Sequence, residues 1–219
     1  MREIECILFD LDGVLTDTSK LHYQAWKKLA DEIGIYFDES INQRLKGVSR
    51  KESLEIILES SEYSYSEQEK EKLAEIKNTY YKEMIESLGP QDLYAGVEEL
   101  LQNIKTRQLK TVLASASKNA SFIIKRLEIE NYFDYIVDAN YIKNGKPDPE
   151  IFIKGAEKVQ ANPENCVVIE DSIAGLIAAK RAGMIAVGIG NSELQNYADF
   201  IFESTGKVDI DFLCMSVRS

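Results

Sequence analysis

Residues 4–14 read IECILFDLDGV, in which an apolar run is followed by two aspartates with one residue between them. The run over residues 4–9 is short and nearly continuous, which is typical of a strand buried on both faces of a parallel sheet. Asp10, Asp12 and Gly13 follow directly, where such a strand would end. Ligands of open parallel sheets bind beyond the carboxyl ends of the strands, so this stretch indicates both the fold and the edge where a site is expected.

Similar apolar runs recur along the chain and alternate with amphipathic segments. The runs that predict further strands cover residues 109–114, 135–137, 166–169, 185–189 and 200–202. Helical patterns lie between them, at residues 96–105, 120–127, 149–159 and 172–182. Asp148 and Pro149 are expected at the N-cap and first position of their helix, and Gly183 is expected just past the end of the last one. This alternation predicts an α/β fold with a Rossmann-like, doubly wound parallel sheet.

The segment from about residue 16 to residue 89 interrupts the alternation, because it contains no convincing strand pattern. Ser49 with Glu52 and Ser66 with Glu69 have the spacing of capping boxes, and each pair predicts the start of a helix. The second of these helices is expected to stop at Gly89-Pro90. The residues predicted to share its apolar face are Leu73, Ile76, Tyr80, Met84 and Leu88.

These patterns predict two domains joined by two hinges. Residues 1–16 and 90–219 would form the α/β core, and residues 17–89 an inserted helical cap domain. The Tyr80-Tyr81 pair in the cap is interpreted as packing, with no role in a site.

Composition narrows the classes of function. The 219 residues are 44% hydrophobic and 29% charged, which fits a globular protein and excludes a mainly disordered, collagen-like or coiled-coil chain. Lys and Arg total 26 and Asp and Glu total 37, so the net charge is −11 and binding to nucleic acid or an anionic membrane is not expected. No uncharged apolar run approaches the roughly 20 residues that span a bilayer. Three cysteines without CxxC spacing suit reduced thiols, so we expect a cytoplasmic protein, with a monomer as the default.

Reactive side chains follow the other predicted strands as well. Ser115 follows the run over residues 109–114, Lys146 follows a loop after the next run, and Glu170-Asp171 end the run that begins at Cys166. Clustered carboxylates repel one another unless a cation is present, and their oxygen ligands suit Mg²⁺. An aspartate beside Mg²⁺ and a lysine can attack a phosphoryl group, while a second carboxylate two residues on can serve as general acid and base. The sequence therefore predicts a site for phosphoryl transfer.

This arrangement resembles the haloacid-dehalogenase-like phosphotransferase superfamily over the whole chain. Residues 10–14 (DLDGV) match its first motif and Ser115 its second. Lys146-Pro147 match the third motif and Glu170-Asp171 the fourth. The inserted helical segment resembles the cap of that superfamily.

The resemblance implies a role for each motif residue. Asp10 would be the nucleophile that forms an aspartyl-phosphate, and Asp12 the acid/base. Ser115 and Lys146 would hold the transferring phosphoryl group. Mg²⁺ is the implied cofactor, and its implied ligands are Asp10, Asp12 through its backbone carbonyl, Asp171, and Glu170 as a ligand or just behind one.

More selective than the four general motifs are Asp17-Thr18 with His22 and Trp26, the stretch LKGVSR at residues 45–50, Ser53, Lys77 and the stretch SASKN at residues 115–119. Together they resemble sugar-phosphate mutases of that superfamily. These enzymes interconvert β-D-glucose 1-phosphate and D-glucose 6-phosphate through an aspartyl-phosphate and β-glucose 1,6-bisphosphate. The implied partners are thus a small sugar phosphate and bisphosphate. The implied substrate-binding residues are Thr18, His22, Trp26, Lys46, Gly47, Val48, Ser49, Arg50, Ser53, Lys77, Ser115, Ala116, Ser117, Asn119 and Lys146.

A mutase of this kind needs an anion site at each end of its substrate. Ser49 is predicted to cap a helix, so backbone N–H groups there can face an anion. Arg50 can hold a phosphate through two parallel hydrogen bonds, and Lys46 and Lys77 can add positive charge. We therefore predict that residues 47–50 bind the phosphate distal to Asp10.

Two other functions remain open. A magnesium-dependent sugar-phosphate phosphatase would use the same scaffold with water as acceptor, but would not need Arg50, Lys46 and Lys77 together. A non-enzymatic, receiver-like module also carries a phospho-aspartate, but needs neither a cap nor an acid/base at Asp12.

Several site residues also have a purely structural interpretation. His22 can be a solvated helix residue, Trp26 can pack between helices, and Lys77 can lie on a solvated face. Ser53 can fill a first helical turn, and Asn119 can cap the helix that follows it.

Overall fold

The computed structural model describes residues 3–45, 48–190 and 192–217. Its parallel sheet has the strand order β3-β2-β1-β4-β5-β6, which confirms the predicted doubly wound α/β fold. All the predicted strands form, and their bounds differ from the prediction by two residues or fewer. The strands are β1 (Cys6–Phe9), β2 (Lys110–Leu113), β3 (Tyr135–Ile136), β4 (Cys166–Glu170), β5 (Ile185–Ile189) and β6 (Phe200–Phe202).

The strand order places a crevice beside β1. β2 and β3 lie on one side of β1, and β4, β5 and β6 lie on its other side, each group in chain order outward from β1. β1 therefore pairs with both β2 and β4, and Phe9 lies opposite Leu113 and Ile169. Where the strand order of an open parallel sheet reverses, a ligand crevice forms beyond the carboxyl ends of the strands. Asp10 follows β1 at this point.

Both faces of the sheet are covered, which explains why β1 is buried along its whole length. Ile7 and Phe9 pack in one apolar cluster, and Cys6 and Leu8 in another. The first cluster includes residues from α5 (Val97–Thr106), α6 (Ala120–Arg126) and α9 (Ile210–Ser216), and the second from α7 (Glu150–Lys158) and α8 (Ile173–Arg181). A strand covered on both faces has no polar side, so its sequence does not alternate.

Residues 19–85, between β1 and α5, form a helical segment that has a core of its own. Trp26, Leu29, Phe37, Leu54 and Ile57 are central members of this third cluster. Both predicted capping boxes are confirmed at the starts of the third and fourth helices. The helices are α1 (Ser19–Glu32), α2 (Glu39–Gln43), α3 (Arg50–Leu58) and α4 (Glu67–Ile85).

The helical segment leaves and rejoins the sheet region through two adjacent strips of chain. Thr16 forms bridges with Asp12 and with Leu93, and its hydroxyl donates to the Asp92 carbonyl at 2.6 Å. The Tyr94 N–H donates to the carbonyl of Leu15. The two strips therefore bind each other close to the loop that follows β1.

The predicted apolar face of α4 is confirmed except at Ile76, since Leu73, Tyr80, Met84 and Leu88 pack in or against the apolar clusters. The side chains that α4 buries are Lys77, Asn78, Tyr81 and Ile85, whereas Ile76 is 39% exposed. This face lies against α1 and a polar cavity, so polar groups are buried where an apolar count looks for a core. α4 also ends at Ile85, before the predicted stop at Gly89-Pro90.

Other helix boundaries differ from the prediction by about one residue. Pro149 occupies the N-cap position of α7 instead of its first helical position, and the Asp148 carboxylate accepts from the N–H of Glu150. Gly183 has the predicted position after α8 and a φ of +74°, which glycine adopts without strain. None of the helices in residues 3–45, 48–190 and 192–217 combines the length and apolarity needed to cross a membrane.

Candidate active site

A cavity of about 1250 Å³ lies between the carboxyl edge of the sheet and the helical segment. Residues from the sheet and from the helical segment line this cavity, and both walls carry charged groups. The sheet side supplies Asp10, Asp12, Ala116, Ser117, Asn119, Lys146 and Asp171. The helical side supplies His22, Trp26, Val48, Ser49, Arg50, Ser53 and Lys77.

Lys146 joins two carboxylates on the sheet side. Its Nζ donates to Asp10 Oδ1 at 2.6 Å and to Glu170 Oε1 at 2.5 Å, and the side chain is 1% exposed. Burial alone would lower the pKa of Lys146, but Asp10 and Glu170 raise it above its ordinary value. Burial raises the pKa of Asp10 to about 6, while Lys146 acts in the opposite direction. Lys146 is therefore a permanent cation beside Asp10.

Both oxygens of Glu170 are bound by groups of the protein. Oε1 accepts from Lys146, and Oε2 accepts from the N–H and hydroxyl of Ser172, each at 2.8 Å. A Cβ at Gly175 would lie within 2.0 Å of the Glu170 carboxyl carbon, so the glycine makes room for this carboxylate. Glu170 is thus turned towards Lys146 and the N-terminus of α8, an arrangement that orients Lys146.

Asp171 approaches the loop after β1. A Cβ at Gly13 would lie 2.2 Å from Asp171 Oδ2, and Gly13 has a φ of +85°. Close approach and left-handed backbone therefore both require glycine at position 13. The Asp171 carboxylate is held against the same loop that carries Asp10 and Asp12.

Asp12 is half-buried, and one of its carboxylate oxygens is unpaired. Within the described residues, its Oδ1 is buried without a hydrogen-bond partner, and its Oδ2 lies 3.9 Å from His22 Nε2. Burial and then the neighbouring charge of Asp10 raise the pKa of Asp12 to about 7. A carboxyl group with such a pKa can both donate and accept a proton near neutral pH.

The predicted metal site combines side chains with the backbone carbonyl of Asp12, and it leaves Glu170 either as a ligand or just behind one. In the part of the chain that the structure describes, no three His, Cys, Asp or Glu side chains are grouped to hold a metal ion. Glu170 is occupied by Lys146 and Ser172. Asp10, Asp171 and the unpaired Oδ1 of Asp12 still offer the hard oxygen donors that a small divalent cation takes, together with backbone carbonyls and water.

On the helical side, Lys77 is buried among neutral groups. Its Nζ lies 2.8 Å from His22 Nδ1, and 4.8 and 4.6 Å from the ring centroids of Trp26 and Tyr81. Burial and then the charge of Arg50 lower the pKa of Lys77 to about 7. Trp26 both packs in the third cluster and lines the cavity, so its two sequence interpretations are compatible.

His22 connects this group to Asp12. Burial, Lys77 and Arg50 lower its pKa well below the ordinary value, so the imidazole is neutral. With Lys77 protonated, Nδ1 accepts its hydrogen bond and the ring proton lies on Nε2, the nitrogen that faces Asp12. The structure therefore aligns Lys77, His22 and Asp12.

Tyr81 lies in this group although the sequence analysis assigned it no role. Its ring stacks on His22 with centroids 4.0 Å apart, and burial raises the pKa of its hydroxyl well above the ordinary value. In the described residues, the Tyr81 hydroxyl and the Thr18 hydroxyl are buried without a hydrogen-bond partner. The spacing of Tyr81 four residues after Lys77, on one helix face, is the signal that could have identified it.

The predicted distal anion site lies at the N-terminus of α3. Ser49 and Glu52 form the capping box there, and Ser53 is buried one turn in. Arg50 is 17% exposed, and its Nη1 lies 3.1 Å from Glu75 Oε1. Glu75 was missed by the sequence analysis because no local pattern pairs it with Arg50. The predicted contributions of Lys46 and Gly47 lie outside the described residues.

The loop after β2 forms a chain of local hydrogen bonds. Ser115 is buried, and its hydroxyl accepts from the N–H of Ser117, whose own hydroxyl accepts from the N–H of Asn119. Asn119 occupies the N-cap position of α6, but its side chain makes no capping bond. Its amide instead donates to Asn78 Oδ1 on α4 at 3.0 Å. A hydrogen bond thus crosses from the sheet side to the helical side of the cavity.

A family model of haloacid dehalogenase-like hydrolases matches residues 4–183. The chain belongs to the haloacid dehalogenase-like hydrolase family. A β-phosphoglucomutase from Bacillus subtilis is 43% identical over 212 residues, which cover 96% of this chain and 94% of that one. A phosphorylated carbohydrates phosphatase from Thermotoga maritima is 36% identical over 184 residues, 83% of this chain and 82% of that one.

A solved structure agrees with this family assignment. The crystal structure of β-phosphoglucomutase from Clostridium difficile has a TM-score of 0.95 and 44% identity, and the match covers 98% of this chain and 97% of that one. Both the sheet and the inserted helical segment of this haloacid dehalogenase-like chain fall within the match.

Proposed function

We propose that the protein is a β-phosphoglucomutase, which interconverts β-D-glucose 1-phosphate and D-glucose 6-phosphate. The observation that carries the proposal is one cavity with cationic groups on both walls. Lys146 lies beside Asp10 on the sheet side, and Arg50 lies at the N-terminus of α3 on the helical side. A substrate that carries a phosphate at each end during turnover needs these two anion sites. The extensive similarity to two β-phosphoglucomutases supports the same conclusion.

In the first transfer, Asp10 attacks one of the two phosphorus atoms of the bound sugar bisphosphate and so releases a sugar monophosphate. Lys146 holds Oδ1, so Oδ2 is the oxygen that forms the new bond as the bond from phosphorus to the sugar oxygen breaks. Asp12 donates a proton to the departing sugar oxygen. Lys146 and the Ser115 loop offset the negative charge on the transferring group.

In the second transfer, the free hydroxyl of a sugar monophosphate attacks the phospho-aspartate and re-forms the bisphosphate, which turns round so that its other phosphate can face Asp10. Asp12 takes the proton of that hydroxyl, and Asp10 is released. A pKa of about 7 suits Asp12 to donate in one direction and accept in the other. Arg50 and the N–H groups at the start of α3 bind the phosphate that is already on the sugar.

We infer that the enzyme uses Mg²⁺. Asp10 and Asp171 would hold it through carboxylate oxygens, with the backbone carbonyl of Asp12 as a third donor. Glu170 would act indirectly, by orienting Lys146. When bound, the ion would neutralise charge between Asp10 and the phosphoryl group, which otherwise repel.

We infer further that residues 17–89 act as a cap that excludes water from the phospho-aspartate. Two contacts support this inference. Asn78 of α4 accepts a hydrogen bond from Asn119, and a Cβ at Gly145, next to Lys146, would lie 3.1 Å from Glu52 Oε2 of α3. The helical segment therefore lies directly against loops of the sheet side.

Phosphorus NMR with β-glucose 1-phosphate, Mg²⁺ and a trace of the bisphosphate tests the proposed function. Glucose 6-phosphate should accumulate at the expense of the substrate. In Asp10→Asn, turnover should fall on the order of 10⁴-fold or more, because the nucleophile is lost. Asp148→Asn, a change outside the site, is the matched control. Full turnover in Asp10→Asn would contradict the mechanism.

A sugar-phosphate phosphatase is the second candidate, because the Thermotoga maritima relative carries a phosphatase name. The two functions differ only in whether a sugar hydroxyl or water accepts the phosphoryl group. The same NMR experiment separates them. Release of inorganic phosphate without glucose 6-phosphate would replace the mutase by the phosphatase.

A further inference from the structure

Arg50 has a carboxylate partner inside the cavity. Arg50 is the first residue of α3, and Glu75 lies on α4 across from it. Their Nη1 and Oε1 atoms are 3.1 Å apart, and both residues line the cavity. The proposed function assigns the Arg50 guanidinium to a phosphate, so an anionic group of the protein already binds where the ligand would bind.

The two partners differ in how firmly they are held. Arg50 is 17% exposed, whereas Glu75 is 72% exposed. Burial lowers the pKa of Arg50, and the charge of Glu75 is the largest effect in the opposite direction. Glu75 can therefore compensate a desolvated guanidinium, yet can rotate into solvent when another anion arrives.

Competition follows from the geometry of a guanidinium. Arginine holds a phosphate best through two parallel N–H bonds from its planar fork, and Glu75 already accepts from one arm. A phosphate dianion that takes both arms would also come close to the Glu75 carboxylate, and like charges at that range repel. Binding the phosphate thus requires Glu75 to move away from Arg50.

We propose that Glu75 is a built-in competitor for the distal phosphate and sets the affinity of the Arg50 site. The identity of the ligand that displaces Glu75 rests on the proposed function. The contact also favours dianionic phosphate esters over monoanionic or neutral sugars, since only a ligand with the higher charge displaces the carboxylate readily. Glu75 is in this sense a specificity-determining residue that never touches the reacting atoms.

Glu75→Gln tests the proposal, because it removes the charge and keeps the shape. The Michaelis constant for β-glucose 1-phosphate at low ionic strength should fall by about two- to five-fold, the range of a solvent-accessible ion pair. The change should shrink as salt is added. Glu83→Gln is the matched control, since it removes the same charge from an exposed position on α4 that does not line the cavity. The control should leave the Michaelis constant unchanged.

Arg50→Ala completes the experiment as a double-mutant cycle with Glu75→Gln. The effect of Glu75→Gln should disappear in the Arg50→Ala background, because the competitor then has nothing to release. An equal gain in both backgrounds, or in Glu83→Gln, would mean a general charge effect and would overturn the proposal. Unchanged turnover in Arg50→Ala itself would instead reject Arg50 as the distal phosphate site, so the two failures are distinguishable.

Discussion

Two buried lysines occupy opposite walls of one cavity and have opposite electrostatic character. Lys146 on the sheet side is 1% exposed, and Lys77 on the helical side is 2% exposed. Burial lowers the pKa of both, but Asp10 and Glu170 raise that of Lys146 above its ordinary value. Lys77 lies against His22 and two aromatic rings, so its pKa falls to about 7.

This difference shows that the partners of a buried lysine, more than its burial, decide its charge. The sheet side holds a cation that is compensated before any ligand arrives. On the helical side, positive charge is compensated poorly by the protein, which suits a wall that receives an anionic substrate. Substitution of Lys146 and then of Lys77 tests this difference in charge compensation.

Lys146→Met should have the largest effect, because it leaves Asp10 and Glu170 as neighbouring carboxylates without their shared cation. Removing one partner of a buried ion pair costs on the order of 3–5 kcal/mol in the free energy of unfolding. Turnover should fall on the order of 10³-fold or more, since the charge beside the transferring phosphoryl group is lost. Urea unfolding and the phosphorus NMR assay measure the two effects.

Lys154→Met is the control for this prediction. Lys154 is 39% exposed and pairs with Glu150 on the surface of α7. Its loss should change the free energy of unfolding by no more than about 1 kcal/mol. Equal destabilisation by the two variants would show that Lys146 is not the compensating cation described above.

Lys77→Met should have the opposite sign. The change removes a charge that burial disfavours, so the free energy of unfolding at pH 6 should rise on the order of 1–3 kcal/mol. Turnover should nevertheless fall, because the charge beside His22 and the cavity is lost. A more stable but less active variant is the expected result.

The pH dependence of this stabilisation has a definite direction. The unfolded chain binds the Lys77 proton up to its ordinary pKa of 10.5, but the folded protein binds it only up to about 7. Between these values the unfolded state holds more protons, so native stability rises with pH. The advantage of Lys77→Met should be full below pH 7 and shrink towards pH 10.5. Lys82→Met, exposed on the same helix, should show no such trend, and a constant advantage at Lys77 would contradict the lowered pKa.

The sheet could be predicted from the sequence because its strands are covered on both faces. Residues 4–9 are apolar at nearly every position, and a run of that kind has few structures other than a buried parallel strand. The strand-end rule then placed Asp10, Ser115, Lys146 and Asp171 at one edge. The capping boxes at Ser49 and Ser66 were equally accessible, because their signals are local.

The same reasoning failed where burial and polarity occur together. An apolar count placed Ile76 on the packed face of α4, but Ile76 is exposed, while the helix buries Lys77, Asn78 and Tyr81. Polar groups are buried there because α4 faces a charged cavity instead of an apolar core. Periodicity reports hydrophobicity, so it cannot identify a helix face that is buried against a binding site.

Contacts between segments that are distant along the chain could not be predicted from the sequence either. Arg50 and Glu75 are 25 residues apart, and Asn78 and Asn119 are 41 apart. Nothing local joins either pair, since each depends on how α4 lies against another element. The contacts of Glu170 with Lys146 and Ser172, which favour the second of its two predicted roles, were hidden for the same reason.

The smallest expected effect concerns the hydrogen bond that links the two walls. Asn78 is buried, and its Oδ1 accepts from the Asn119 amide at 3.0 Å. A double-mutant cycle with Asn78→Ala, Asn119→Ala and both changes should give a coupling of about 0.5–1.5 kcal/mol in urea unfolding. The same cycle for Asn78 with Asn162, which lies away from the cavity, should give no coupling. Zero coupling between Asn78 and Asn119 would mean that the helical segment unfolds independently of the sheet. Lys146 and Lys77 would then belong to two separately folding units.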